Sequence, residues 1–516
     1  MADLKAEFSS RQTAVNYLSS GVAFTVSLAI GFWFTPYLVN SIGPAHYGLV
    51  ILSATLISYA APLAQSLATT FSRAFSVAIQ VGDIERTQRL MDDAMGLSLK
   101  LVVIAAACLV PLAIASPYLL GTSPGYRFDQ SVVLLLTVAA FLIWMVSSPL
   151  AALVYAANRI DYGIYAQTTQ NIVRIIAAVI LIEALGWGIY AAPAGGIAGA
   201  MAALAGMLLA TMAVAPVRVR YAGVDTNTQL ARMGGAVLFG TVGSMLLLST
   251  ELLVVNYMTD EVSAGLYAAS IQIPALIRTT MLTLGAVFGP TILALYAKGD
   301  IAASRAATGN AVKTVGLIAA LPAGIVFATA PLILELWLGK AFVPYAAVLQ
   351  LGMVASVAHV VPKPMHDLAL ATGRLWFPAV LRVGALIFYL LLALVLFKTT
   401  SLGLTSVALA LAIGMAAPEL LLMAPFVSRA AQGSALYFLK PVAIVVAAIG
   451  ACWAICRAML LWWTPATLTE LCLFCAAVAP LYGAVALVLA GSRQRTALVA
   501  VMAASARLVP GRVSRR

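Results

Sequence analysis

Apolar segments long enough to cross a lipid bilayer follow one another along almost the whole chain, with only short polar connectors between them. A transmembrane helix needs about 20 mostly apolar residues. Only 9% of the 516 residues are charged and 63% are hydrophobic, whereas a soluble protein carries roughly 25% charged residues. The sequence therefore predicts an all-α integral membrane protein with about fourteen transmembrane helices, at 14–38, 45–81, 92–116, 130–157, 163–185, 190–215, 233–258, 262–297, 306–331, 342–371, 377–397, 402–426, 441–463 and 467–490.

The second and eighth of these segments share sequence at a constant spacing. Gly48-Leu49 returns as Gly265-Leu266, and the turn Gly82-Asp83-Ile84 returns as Gly299-Asp300-Ile301. In both cases the second copy lies 217 residues after the first, as Gly265 does after Gly48. Two copies in the same order predict a parallel repeat, which is common in transporters. Four further identities share the spacing: Ser53/Ser270, Leu67/Leu284, Phe71/Phe288 and Ala94/Ala311.

The repeat predicts how the chain is divided. We expect an N-terminal lobe of helices 1–6 at 1–216, a cytoplasmic linker at 217–232 and a C-terminal lobe of helices 7–12 at 233–428. Helices 13 and 14, at 429–490, fall outside the repeat. The tail 491–516 contains basic residues and no acid, so we expect it to lie on anionic lipid.

Lysine and arginine are concentrated in alternate connectors. One face of the predicted bundle carries most of them, whereas the opposite face carries only Arg127, Lys340 and Lys398. Cytoplasmic loops are the ones enriched in Lys and Arg, so both termini are predicted to be cytoplasmic. No signal peptide is apparent at the polar N-terminus. The net charge of +12 then reflects topology, and no nucleic-acid partner is expected.

Some basic residues lie at bilayer depth, where a charge costs roughly 2.5–3.5 kcal/mol and usually faces a polar cavity or a partner. Arg278 precedes Lys298 by 20 residues, which is about 30 Å of helix and too far for its side chain to reach the surface. Arg174 lies near the middle of helix 5. Lys363 lies between two prolines that must interrupt helix 10, and Arg73 is close enough to the Gly82 turn to extend towards the headgroups.

The excess of membrane-embedded cations over acids predicts an anionic ligand. Arginine binds phosphates and carboxylates through paired hydrogen bonds, whereas a pump for cationic drugs would need acids in its cavity. The predicted substrate-binding residues are Arg278, Lys363, Arg174 and Arg73. Glu251, inside helix 7, has two interpretations: a proton or sodium coupling site, or a carboxylate that neutralises one of these arginines.

Enzymatic functions fit the pattern less well. No pair of acids lies in an outer loop and no Walker motif is present, so we predict a non-enzyme that does not use ATP directly. No cofactor is expected beyond coupling to H⁺ or Na⁺. His359 and His366 lack a third ligand, so no metal site is predicted, and both histidines are interpreted as packing residues.

The first two helices resemble those of a known family. The stretch Pro36-Tyr37-Leu38-Val39-Asn40 leads into Ile42-Gly43-Pro44-Ala45-His46-Tyr47-Gly48, a long second helix and the Gly82-Asp83 turn. This order is similar to that of O-antigen type (Wzx-like) polysaccharide biosynthesis flippases, in the multidrug/oligosaccharidyl-lipid/polysaccharide exporter superfamily. The family pattern has Leu where Ile42 stands. The match in motif is confined to about 35–90 and 262–305.

The resemblance implies fourteen helices in two six-helix lobes around a cavity, and transport by alternating access. It implies a cargo similar to a polyprenyl-pyrophosphate-linked oligosaccharide, moved to the outer leaflet of a bacterial inner membrane for O-antigen or exopolysaccharide assembly. Arginines on helices 2 and 8 of related flippases correspond to Arg73 and Arg278. The expected partners are this lipid-linked sugar, membrane lipids and other polysaccharide-assembly proteins. The alternatives are a drug or cation antiporter of the superfamily, a peptidoglycan-precursor flippase and, less favoured, a membrane glycosyltransferase or ligase.

Overall fold

The computed structural model describes residues 10–215, 217, 246, 249–374 and 376–490. All regular structure over these residues is helical, as the sequence predicts. The predicted tail 491–516 and most of the predicted linker and of helix 7 lie outside the described residues. The chain divides into two compact units, Met1–Ala269 and Ser270–Arg516.

The N-terminal unit contains ten described helices in chain order, with short 3₁₀ turns at Pro124–Tyr126 and Gly188–Tyr190. The tenth helix runs one residue into the second unit. The helices are α1 Ser10–Ile42, α2 Pro44–Ser58, α3 Ala61–Val81, α4 Ile84–Leu119, α5 Arg127–Val146, α6 Ser148–Ala156, α7 Ile160–Glu183, α8 Ala191–Val214, α9 at 249–258 and α10 Glu261–Ser270.

The C-terminal unit continues with ten helices over its described residues. A π-helical turn at Glu419–Met423 joins the seventh and eighth of them. The helices are α11 Gln272–Gly285, α12 Gly289–Ala297, α13 Ile301–Trp337, α14 Ala346–Val360, α15 Lys363–Ala371, α16 Trp376–Thr399, α17 Leu404–Pro418, α18 Ala424–Ala430, α19 Leu439–Leu460 and α20 Leu468–Leu489.

Eleven helical stretches among the described residues are long and apolar enough to cross a membrane, and each coincides with a predicted span. The chain is therefore a multi-pass membrane protein. Of the other three predicted spans, 233–258 is mostly outside the described residues. The spans 45–81 and 262–297 exist as helical pieces and not as continuous helices.

Prolines explain these interruptions. The single helix predicted at 45–81 is wrong: α2 ends at Ser58 and α3 begins at Ala61, since Pro62 has no N–H to donate to the carbonyl of Ser58. Pro274 has the same relation to Ser270, where α10 ends and α11 follows. The break predicted around Lys363 is confirmed, because α14 ends at Val360 and α15 begins at Lys363.

The two Gly-Asp turns of the repeat have the same geometry. Gly82 and Gly299 adopt φ values of 76° and 80°, a left-handed conformation that favours glycine at the end of a helix. The carboxylate of Asp83 accepts a hydrogen bond from the backbone N–H of Arg86 at 2.8 Å, and that of Asp300 accepts one from Ala303 at 2.9 Å. Each aspartate thus caps the helix that follows.

Helix α19, which lies outside the repeat, packs tightly on α13 in the C-terminal unit. Added Cβ atoms at Gly316 and Gly324 would lie 2.0 Å from Val445 and 2.4 Å from Cys452, respectively. Small residues allow such close approach between membrane helices. One face of predicted helix 13 is therefore packed closely against this unit.

Candidate functional site

Arg278 lies on α11, where that helix packs against α14. The hydroxyl of Ser356 donates a hydrogen bond to the carbonyl oxygen of Pro274 at 3.1 Å. A Cβ at Gly352 would lie 3.3 Å from the Pro274 ring. This close packing brings the half-buried Arg278 within electrostatic range of His359 on α14.

Basic residues surround His359, and we call this group, including His359, the cation cluster. Its electrostatic environment includes four other basic side chains, contributed by α11, α15 and α16. The structure therefore brings two predicted substrate residues, Arg278 and Lys363, to the surroundings of one side chain. The prediction that both histidines are packing residues did not anticipate that they lie among charged groups. The cation cluster consists of Arg278, His359, Lys363, His366 and Arg382.

Two acids accompany the cation cluster. The ammonium of Lys363 donates to a carboxylate oxygen of Asp367, one helical turn later. His366 Nε2 lies 2.8 Å from Glu419 Oε1, and Glu419 also attracts Arg382 electrostatically. Besides the two histidines, the side chains described here comprise three basic residues, Arg278, Lys363 and Arg382, and these two acids.

Both acids have one buried oxygen without a hydrogen-bond partner, Oδ2 of Asp367 and Oε2 of Glu419. Glu419 begins the π-helical turn, and such turns frequently occur at functional sites. Gly289 makes room for Asp367, because a Cβ there would lie 3.2 Å from Oδ2. The i, i+4 spacing of Lys363 and Asp367 was visible in the sequence. Nothing local marked the pairing of His366 with Glu419.

Arg174 belongs to the N-terminal unit, on α7. This helix packs on α8 through Gly195 and Gly199, where added Cβ atoms would lie 2.4 Å from the carbonyl oxygen of Arg174 and 2.6 Å from that of Gln170. The guanidinium lies 5.7 Å from the centre of the Phe34 ring, a cation–π contact. Its Nε is buried without a hydrogen-bond partner.

Arg73 lies on α3, but its side chain is outside what the structure describes. Its predicted role in substrate binding therefore stays a prediction.

Glu251 is buried on α9 and accepts a hydrogen bond from the hydroxyl of Tyr267 on α10. Oxygen-bearing side chains of the same helix face the end of α2. Ser249 and Thr250 contact Ser58 and Tyr59 at 3.1 and 3.3 Å. A carboxylate that receives a neutral phenol within a polar cluster is chemically suited to taking up and releasing a proton. Within the described chain, no group of three or more His, Cys, Asp and Glu side chains converges to hold a metal ion.

Comparison with known proteins identifies the fold. No family model matches the chain. It is 26% identical over 453 residues to "Uncharacterized membrane protein EpsK" of Bacillus subtilis (strain 168), a match that covers 86% of this chain and 89% of the relative.

Two solved structures are similar over most of their length. One is the inward-facing conformation of a multidrug resistance MATE family transporter of the MOP superfamily, with a TM-score of 0.61 and 16% identity over 83% of this chain and 96% of that one. The other is the lipid II flippase MurJ in an inward closed conformation, with a TM-score of 0.60 and 15% identity over 92% and 99%. The chain therefore has the fold that the MATE transporter and MurJ share.

Proposed function

We propose that this protein is a flippase of the multidrug/oligosaccharidyl-lipid/polysaccharide exporter superfamily. It moves a polyprenyl-pyrophosphate-linked oligosaccharide from the cytoplasmic to the outer leaflet of a bacterial inner membrane, with both termini in the cytoplasm. It acts by alternating access and carries out no covalent chemistry. The cargo serves surface polysaccharide assembly.

The cation cluster of the C-terminal unit carries this proposal. A pyrophosphate is doubly anionic or more, and it needs charge-assisted donors at membrane depth. Arg278, Lys363 and Arg382 supply permanent positive charge around His359. Asp367 and Glu419 already pair with Lys363 and His366. An incoming anion therefore competes with these two carboxylates for the basic side chains of the cluster.

The fold supports a flippase, since the lipid II flippase MurJ has it, but the MATE transporter shares the same fold. The excess of cations over acids in the cation cluster favours the anionic lipid-linked cargo over a cationic drug. In this proposal Arg278 and Lys363 hold the headgroup, Arg174 or Arg73 assists, and the polyprenyl tail remains in lipid. Glu251 couples transport to an ion gradient.

A deletion strain tests the cargo. We expect loss of surface polysaccharide and accumulation of the lipid-linked oligosaccharide on the cytoplasmic leaflet, with unchanged drug sensitivity and continued growth. Drug hypersensitivity with normal polysaccharide would favour the antiporter. Lysis without the gene would favour peptidoglycan-precursor transport, and turnover of a lipid-linked donor by purified protein would favour the glycosyltransferase or ligase.

A further inference from the structure

A cavity of about 280 Å³ lies inside the N-terminal unit, among α3, α5, α6, α7 and α8. Its volume is close to the lower limit of small-molecule sites, which run from roughly 300 to 1,000 Å³. Of the predicted substrate-binding and coupling residues whose side chains the structure describes, Arg174, Glu251, Arg278 and Lys363, none lines it. The cavity is therefore a second candidate site, distinct from the cation cluster.

The described wall of the cavity is mostly apolar, and its few polar groups are uncharged. No Asp, Glu, Lys, Arg or His is among the described residues that line it. Three amides face the space, from Gln65 on α3 and from Gln167 and Gln170 on α7. The last two are three residues apart, so they share one face of the helix. Each amide offers both hydrogen-bond donors and an acceptor.

One polar group of the wall has no partner within the protein. Ser148 is only 6% exposed, and its Oγ is buried without a hydrogen bond. An unsatisfied buried hydroxyl carries a free-energy penalty. Polar side chains are also costly in membrane-spanning helices unless they face a partner or a cavity. This wall is thus suited to a ligand that forms hydrogen bonds.

Two aromatic side chains complete the wall. Trp144 on α5 and Tyr155 on α6 line the cavity, and Tyr155 is 60% exposed. Flat aromatic faces accept the polarised C–H bonds of a sugar ring, while amides bind its hydroxyls. A pyrophosphate would find no cation among the described residues of this wall, and a polyprenyl tail would leave the amides without partners.

We propose that this cavity is a saccharide subsite that holds a neutral sugar ring of the cargo. The proposal rests on the proposed function, because the sugar belongs to the cargo proposed there. Part of the oligosaccharide binds beside Gln167 and Gln170. The amides contact sugar hydroxyls, and the aromatic rings contact the apolar face of the sugar.

Calorimetry on the purified full-length protein in detergent tests the subsite with two probes. One is the oligosaccharide that mild acid releases from the polyprenyl-linked pool of the source organism, and the other is inorganic pyrophosphate. The double variant Gln167→Leu/Gln170→Leu should bind the oligosaccharide roughly ten-fold more weakly or worse, since it loses two hydrogen-bonding groups. Its pyrophosphate affinity should be unchanged. Thr169→Val is the matched control, because Thr169 is exposed on the same helix and does not line the cavity.

A second variant fills the cavity from its wall. A Cβ at Gly163 would meet no atom closer than Met207 Cε at 3.9 Å, so Gly163→Leu should enter the space without displacing the backbone. It should abolish oligosaccharide binding and spare pyrophosphate binding. Parent-like oligosaccharide affinity in both folded variants, or no oligosaccharide binding by the parent, would overturn the subsite. Failure of the parent to bind pyrophosphate would count instead against the proposed function.

Discussion

Gly48 and Gly265, which occupy equivalent positions in the two copies of the repeat, are in backbone contact. A Cβ at Gly48 would lie 2.8 Å from the backbone nitrogen of Gly265, and one at Gly265 would lie 1.8 Å from the carbonyl oxygen of Pro44. Helices α2 and α10 therefore cross where neither has a side chain. This crossing explains why both copies have glycine here, and it places α10 against α2 in the N-terminal unit.

The variant Gly265→Ala should lower stability by about 1–3 kcal/mol, because the methyl group meets backbone atoms that cannot rotate away. Gly384→Ala is the matched control. No atom lies within 4 Å of a Cβ at Gly384, so this change within a helix should be neutral or slightly stabilising. Thermal unfolding in detergent measures both. Equal melting temperatures for the two variants would contradict the close crossing.

Replacing Arg278 with Ala should reduce surface polysaccharide at least ten-fold, because the headgroup loses a charge-assisted contact in a low-dielectric site. Arg374→Ala, an exposed residue between α15 and α16, should leave polysaccharide unchanged. Immunoblots must show equal protein levels for both variants. Normal polysaccharide with the Arg278 variant would remove this residue from the binding site.

Variants of Lys363 and Asp367 can separate the contribution of their ion pair to stability from the role of Lys363 in binding the headgroup. The variant Lys363→Met should cost about 1 kcal/mol of stability, since it leaves Asp367 without its cation while Lys363 itself is 36% exposed. The double variant Lys363→Met/Asp367→Asn should recover stability but not transport, because the cation that binds the headgroup is still missing. Thermal unfolding and surface polysaccharide report the two properties separately. Full transport by the double variant would assign Lys363 to Asp367 alone.

Changing Glu251 to Gln should abolish coupling while the hydrogen bond from Tyr267 is kept, because an amide oxygen still accepts from the phenol. In vesicles loaded with the lipid-linked oligosaccharide, an imposed proton or sodium gradient should no longer accelerate transport. Glu85→Gln, at an exposed residue in the first turn of α4, is the control and should respond like the parent. If an imposed gradient still accelerates transport by the Glu251→Gln variant, this carboxylate is excluded as the coupling group.

The aspartates of the two repeated turns should be energetically equivalent. Asp83→Ala and Asp300→Ala each remove one capping hydrogen bond of nearly equal length, so each should cost about 1 kcal/mol. Denaturation of the purified variants measures the two losses. If only one of the two variants loses much stability, the two turns share their geometry but do not contribute equally to stability.

The sequence by itself determined the features that depend on local chemistry. Long apolar runs specify membrane helices, because a bilayer leaves no other way to satisfy the backbone. Prolines mark where a helix can be interrupted, as the breaks at Lys363 and Pro62 show, but α4 and α13 each continue through two prolines. The Gly-Asp turns were readable because a left-handed glycine and a capping aspartate need only their immediate neighbours.

Only the tertiary structure decided which distant side chains meet. The contact of Gly48 with Gly265, the pairing of His366 with Glu419 and the cavity beside Gln170 depend on how helices far apart in the chain pack together. Hydropathy indicates which residues lie in the membrane, but not which residues of one helix contact which residues of another. Those contacts depend on the shapes of many small side chains at once, and they decide which cations, acids and amides share a site.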